Sequence, residues 1–144
     1  MPDLVILNRQ RRHPVRVPSL KRFLLRLCLR LGIADKEFAV FLTNDRTIRR
    51  FNRRYRGHDK ATDVLSFATH RLSGPSWGFE KDYLGDIIIS VERARHQAVE
   101  EKRSLHQELR ILLIHGLLHL LGHDHESDRG QMRRKELRLQ KDLL

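Results

Sequence analysis

Cysteine is almost missing from this chain. Of 144 residues only Cys28 is one, so no internal disulfide can form, and a reducing compartment is the expected setting. Long apolar runs are scarce as well. The longest, Ile111 to Leu121, is too short to span a bilayer and holds two histidines. Residues 1–20 contain no apolar stretch followed by a cleavage site, so no secretory signal is expected. Repeats, low-complexity tracts and obvious linkers are also missing. Together these absences predict a soluble, cytoplasmic protein with one domain over residues 1–144, long enough to bury a core.

Acidic residues are the other shortage. Lysine and arginine number 29 against 18 aspartates and glutamates, a formal net charge of +11. A small enzyme for neutral metabolites has no use for this. A polyanion does, because each neutralised phosphate releases counterions. A general basic drift of the host proteome is the bland alternative.

The apolar pattern predicts an α+β fold, with strands first, helices between them and a helical run at the end. "LVILNRQ", "EFAVFLTND", "TDVLSFAT" and "LGDIIIS" read as strands. "SLKRFLLRLCLRLG" reads as a helix with Ser19 as N-cap and Gly32 as its stop. A short helix is expected between Asp45 and Gly57, with Ile48, Phe51 and Tyr55 on one face. "HRLSGPSWGFEKDY" reads as an exposed loop. Further helices are expected from Ser90 to about Lys102, from a Ser104/Gln107 capping box to Gly122, and from about Asp128 to Leu143.

Within that second helix stands "HGLLHLLGHDH", residues 115–125. A buried imidazole needs a partner for each ring nitrogen, and here four lie within eleven residues. His115 and His119 are one helical turn apart, so both rings reach one ion at roughly 2 Å per Zn–N bond. Gly122 can end the helix in a left-handed turn, which brings His125 back toward the same ion. Three imidazoles leave one tetrahedral position for water, as in catalytic zinc sites. His123 competes with His125 for the third place. Asp124 reads as a group that orients a ring, or else as a ligand. The H-x3-H-x5-H spacing is that of metzincin proteases, but their general-base position, directly after the first histidine, holds Gly116 here.

With these residues in place, the sequence resembles the YbeY family of bacterial metal-dependent endoribonucleases. "HGLLHLLGHDH" fits the family pattern, and "FNRRYRGHDKATDVLSF", "LGDIIIS" and "MRRKELRLQKDLL" agree with it. The resemblance implies an α+β fold with helices on a mixed four-stranded sheet. It implies one zinc ion, or another divalent metal, on His115, His119 and His125, and an important arginine at Arg56. It also implies action on single-stranded RNA, as a 16S rRNA precursor trimmed at its 3′ end, with the small ribosomal subunit as partner in maturation and quality control. Neither a membrane nor DNA is expected as a partner. "SGPSWG" is not a family signature, so no role passes to Trp77.

The arginines read the same way from their own chemistry. Arg46, Arg49, Arg50, Arg53 and Arg54 share one short helix, and Arg56 and Lys60 follow. Spacings of three and four place them in a basic stripe suited to RNA phosphates; a merely solvated face is the alternative. Arg56, beside Gly57, is expected to point into a cleft and to stabilise the charge on the reacting phosphate, with His115 as the other catalytic residue. Asp63 orients a histidine or caps a turn, and Asp86 has the same two readings. Trp77 and Phe79 read as loop anchors or base-stacking rings. Cys28, among leucines, reads as core. The competing functions are a metallopeptidase-like hydrolase and a non-enzymatic ribosome-assembly factor with a structural zinc.

Overall fold

The computed structural model describes residues 4–68, 83–124 and 126–144. The expected loop over residues 70–83 lies outside them, Trp77 and Phe79 included, except for Tyr83, which is not loop but the first residue of a strand paired across to Glu37. His125 also lies outside them. The chain runs β1 (Leu4–Asn8), α1 (Val17–Leu31), β2 (Glu37–Thr43), α2 (Asp45–Arg56), β3 (Val64–Ala68), β4 (Tyr83–Ser90), α3 (Val91–Glu100), α4 (Leu105–Leu120) and α5 (Gln131–Leu143). The four strands form one mixed sheet in the order β1-β2-β4-β3. β1 and β2 are parallel, β2 and β4 are parallel, and β3 is antiparallel to β4 at one edge. The α+β expectation and its mixed four-stranded sheet are therefore met.

Side-chain alternation along the strands sends two sets of residues to opposite faces. Phe38, Val40 and Leu42 of β2 and Ile87 and Ile89 of β4 join Leu20, Phe23, Leu24 and Leu27 of α1 in the main core. Leu109, Leu113, Leu117 and Leu118 of α4 and Met132 and Leu139 of α5 complete it. Cys28 is wholly buried there, and burial raises its thiol pKa to about 11. The opposite face carries, among the described residues, a small cluster. Ile48 of α2 packs with Leu65 and Ile88, flanked by Phe41, Phe51 and Phe67.

Local chemistry sets the element ends. α2 is capped by the Asn44 side chain, which accepts the Thr47 N–H at 2.9 Å, and it ends at Gly57 as expected. The Ser104/Gln107 capping box of α4 is present. α4 stops at Leu120. Gly122 then adopts φ 96°, a conformation that favours glycine, and the His123 N–H bonds back to the Leu118 carbonyl at 3.0 Å.

Two expected starts differ. α1 begins at Val17 with a proline in its first turn, because Pro18 suits a helix start, where its missing N–H costs nothing. Ser19 is therefore inside the helix and not its N-cap. α5 begins at Gln131, since Gly130 takes φ 89°. Asp128 instead caps from outside, accepting the N–H groups of Gly130 and Met132 at 2.8 Å each.

Candidate active site

α4 lies across β3 and β4, and its contact with the sheet is close. Gly116 is buried. A Cβ there would come within 2.9 Å of Ile87 Cγ2 and 3.2 Å of Ser66 Oγ. Ser66 Oγ donates to the Gly116 carbonyl at 3.0 Å. The position of the metzincin base therefore faces the sheet and has no room for a carboxylate. His115 and His119 fall on a different side of the helix, where both line a cleft of about 520 Å³. Their rings stand 4.6 Å apart, edge to face.

Glu136 of α5 sets the His115 ring. Its side chain is only 5% exposed, and its Oε1 stands 2.9 Å from His115 Nδ1. A carboxylate on Nδ1 holds the proton there, so the ring's lone pair is on Nε2. Arg133 adds a cation 3.7 Å from Glu136 Oε2. Sequence reasoning missed Glu136, although a signal existed. Met132, Glu136 and Leu139 are spaced as one buried helix face, so a carboxylate interrupts an apolar stripe and needs a partner.

The other wall comes from α2, the turn after it and β3. Arg56, His58, Lys60 and Asp63 line it, with Ser66 behind them. Arg56 is exposed. Its Nη2 donates to the Ser66 carbonyl at 3.0 Å, and its guanidinium stands 5.7 Å over the Phe67 ring. Asn52, buried on α2, donates to the Lys60 carbonyl at 2.9 Å and so fixes the turn.

Among the described residues, Asp63 makes the contacts of a turn cap. Its carboxylate accepts the Thr62 hydroxyl, the Val64 N–H and Gln97 Nε2. Asp124 also lines the cleft, with Oδ1 accepting the Glu126 N–H at 3.0 Å. Asp86 stands apart from the histidines. It accepts the Tyr83 hydroxyl and lines a groove on the other face of the sheet.

The basic stripe is real but interrupted. Arg46, Arg50, Arg53 and Arg54 are exposed along α2. Arg49 instead grips Asp59 through two bonds of 2.9 and 3.2 Å. That pairing raises the guanidinium pKa and lowers that of the carboxyl. Sequence spacing did not expose it, because the partner lies in the turn and not on the helix.

Two imidazoles one turn apart share a cleft, and one is oriented by a buried carboxylate at its Nδ1, the kind of contact that holds ligating histidines. These residues fit a zinc ion. No group of three or more histidine, cysteine or acidic side chains able to hold a metal occurs among the described residues. The third expected ligand, His125, is outside them. No helix among the described residues is long and apolar enough to cross a membrane.

Known proteins resemble this chain over most of its length. The family described as "Endoribonuclease YbeY" matches residues 6–143. An "Endoribonuclease YbeY" of Geobacter metallireducens is 42% identical over 134 residues, covering 92% of this chain and 88% of its own. A protein of the same name from Thermus thermophilus is 46% identical over 112 residues, covering 78% of each. The solution structure of TM1509 from Thermotoga maritima superposes with a TM-score of 0.65 at 27% identity. That match covers 99% of this chain and 89% of the other.

Proposed function

The chain belongs to the YbeY endoribonuclease family, and from that premise we propose that it cleaves phosphodiester bonds of single-stranded RNA at the α4 cleft. The carrying observation is that cleft itself, where His115 and His119 face Arg56 across one space while Glu136 fixes the first ring. His115, His119 and His125 would hold a zinc ion. When bound, zinc supplies Lewis acidity and makes water a usable nucleophile near neutral pH.

The chain's own groups do the rest. Glu136 keeps the His115 proton on Nδ1 and is a positioning residue. Arg56, held by the Ser66 carbonyl, presents its remaining N–H donors to the phosphate and balances charge that builds up on its oxygens. Lys60 and the exposed Arg46, Arg50, Arg53 and Arg54 of α2 bind flanking phosphates and hold the strand across the cleft. Precursor 16S rRNA, processed at its 3′ end on the small ribosomal subunit, is the proposed substrate, and ribosome quality control the proposed setting.

The test uses a single-stranded RNA, wild-type protein, and protein chelated and then reloaded with zinc. Cleavage should vanish with the metal and return with it. His115→Ala should lose cleavage and zinc together. Glu136→Gln should weaken zinc binding by about 10- to 100-fold. Arg56→Ala should lower kcat with zinc content unchanged. Full cleavage by His115→Ala would sink the reading, since the activity would then be a contaminant and a structural zinc the better account.

A further inference from the structure

The sheet's second face carries a groove that the reaction does not use. It holds about 590 Å³ and is walled by Phe41, Phe51, Tyr55, Phe67 and Ile88, with Arg9 at its rim and Asp86 in its lining. Aromatic rings make one continuous surface. Phe51 stacks on Tyr55 with centroids 6.0 Å apart, and Tyr55 meets Phe67 edge to face at 5.5 Å. Tyr55 is 52% exposed, which is unusual for a ring in such a cluster. Arg54 stands over Tyr55 at 5.6 Å, and Arg56 over Phe67 at 5.7 Å.

Arg56 is the hinge between the two sites. It lines the histidine cleft on one side and covers a groove ring on the other. β3 is the edge of the sheet, so among the described residues this strand and the guanidinium upon it stand between cleft and groove.

We propose that the groove is a base-stacking subsite for the same RNA strand. Resting on the reading of the cleft as the cleavage site, it takes an unpaired nucleobase next to the scissile phosphate. Flat aromatic faces accept any base. The rim arginines meet the phosphates on either side, in line with a chain of net charge +11. Asp86 keeps phosphate out of the groove and offers an acceptor for base N–H groups. The Tyr83 hydroxyl occupies Asp86 Oδ1, and Oδ2 has no hydrogen-bond partner among the described residues.

The experiment measures steady-state cleavage of a single-stranded RNA, and binding of the same RNA carrying 2-aminopurine, whose fluorescence is quenched by stacking. Wild type should cleave the first and quench the second. Tyr55→Ala should raise KM about tenfold, the loss of one stacked base, with kcat kept and quenching lost. Tyr55→Phe should restore both. An abasic substrate should show the same KM for wild type and Tyr55→Ala. If wild type cleaves but Tyr55→Ala has its KM and quenching, the subsite is overturned and the cleft reading stands. If wild type does not cleave, both fall. If Tyr55→Ala changes only self-association in sedimentation, the groove is a contact between copies and the subsite is overturned.

Discussion

The two faces of the sheet differ in almost everything but their strands. One is roofed by α1, α3, α4 and α5 and is filled mostly by aliphatic side chains, with Phe23, Phe38, Cys28 and Met132 among them. The other, among the described residues, is crossed by the short α2 and keeps a groove with half-exposed rings. Neighbours in sequence show the contrast. Leu4 is 3% exposed on the first face, and Val5 is 42% exposed on the second. Burying apolar area stabilises, by about 25 cal/mol per Å². The first face therefore carries the stability, which leaves the second free to present chemistry, with the candidate active site at the edge where they meet.

The contrast can be broken from either side. Leu113→Ala, on the roofed face, should cost about 2–5 kcal/mol through its cavity. Val5→Ala on the other should stay within about 0.5 kcal/mol. Urea denaturation measures both, and equal losses would mean the faces share the load. Gly116→Ala sharpens it where α4 meets the sheet. Its new Cβ crowds Ile87 and Ser66, so a loss of about 1–3 kcal/mol is expected, again read by urea unfolding. An unchanged midpoint would show that α4 can lift away.

The smallest effect is acid sensitivity at the roof. His106 Nε2 accepts the Arg16 N–H at 3.1 Å, and Nδ1 is buried without a hydrogen-bond partner among the described residues. Burial first, then the charges of Arg16 and Arg110, lowers its pKa below the ordinary value. The unfolded chain therefore takes up the proton first as pH falls. His106 contributes stability that is complete above about pH 6.5 and is lost as pH falls below it toward the folded value. His106→Gln should flatten the urea midpoint across that window, and an unchanged slope would assign the sensitivity elsewhere.

Local signals read well from the sequence. Gly57, Gly122 and the Ser104/Gln107 box act on residues within a turn of themselves, so their spacing carries the information. The paired histidines are legible for the same reason. Glu136 is legible only as a carboxylate in a buried helix face; its partner is not, because it stands 21 residues away on another helix. The Arg49–Asp59 pair and the Asn52 tether to Lys60 also escape, since each joins a helix to a turn whose path is set by tertiary packing. Helix starts at Val17 and Gln131 were misplaced by two or three residues, where a proline or a left-handed glycine outweighed a nearby cap.

The Arg56 tether has a consequence for self-association. The Ser90 N–H bonds to the Asp63 carbonyl, so in the antiparallel alternation that follows, the Ser66 carbonyl turns away from β4 toward the open border. No described strand pairs with this border of β3, and a row of that kind is a template on which another chain's strand can add. Arg56 occupies one of its acceptors and sets a charge in front of the rest, so a variant lacking it would be expected to invite strand addition and clumping.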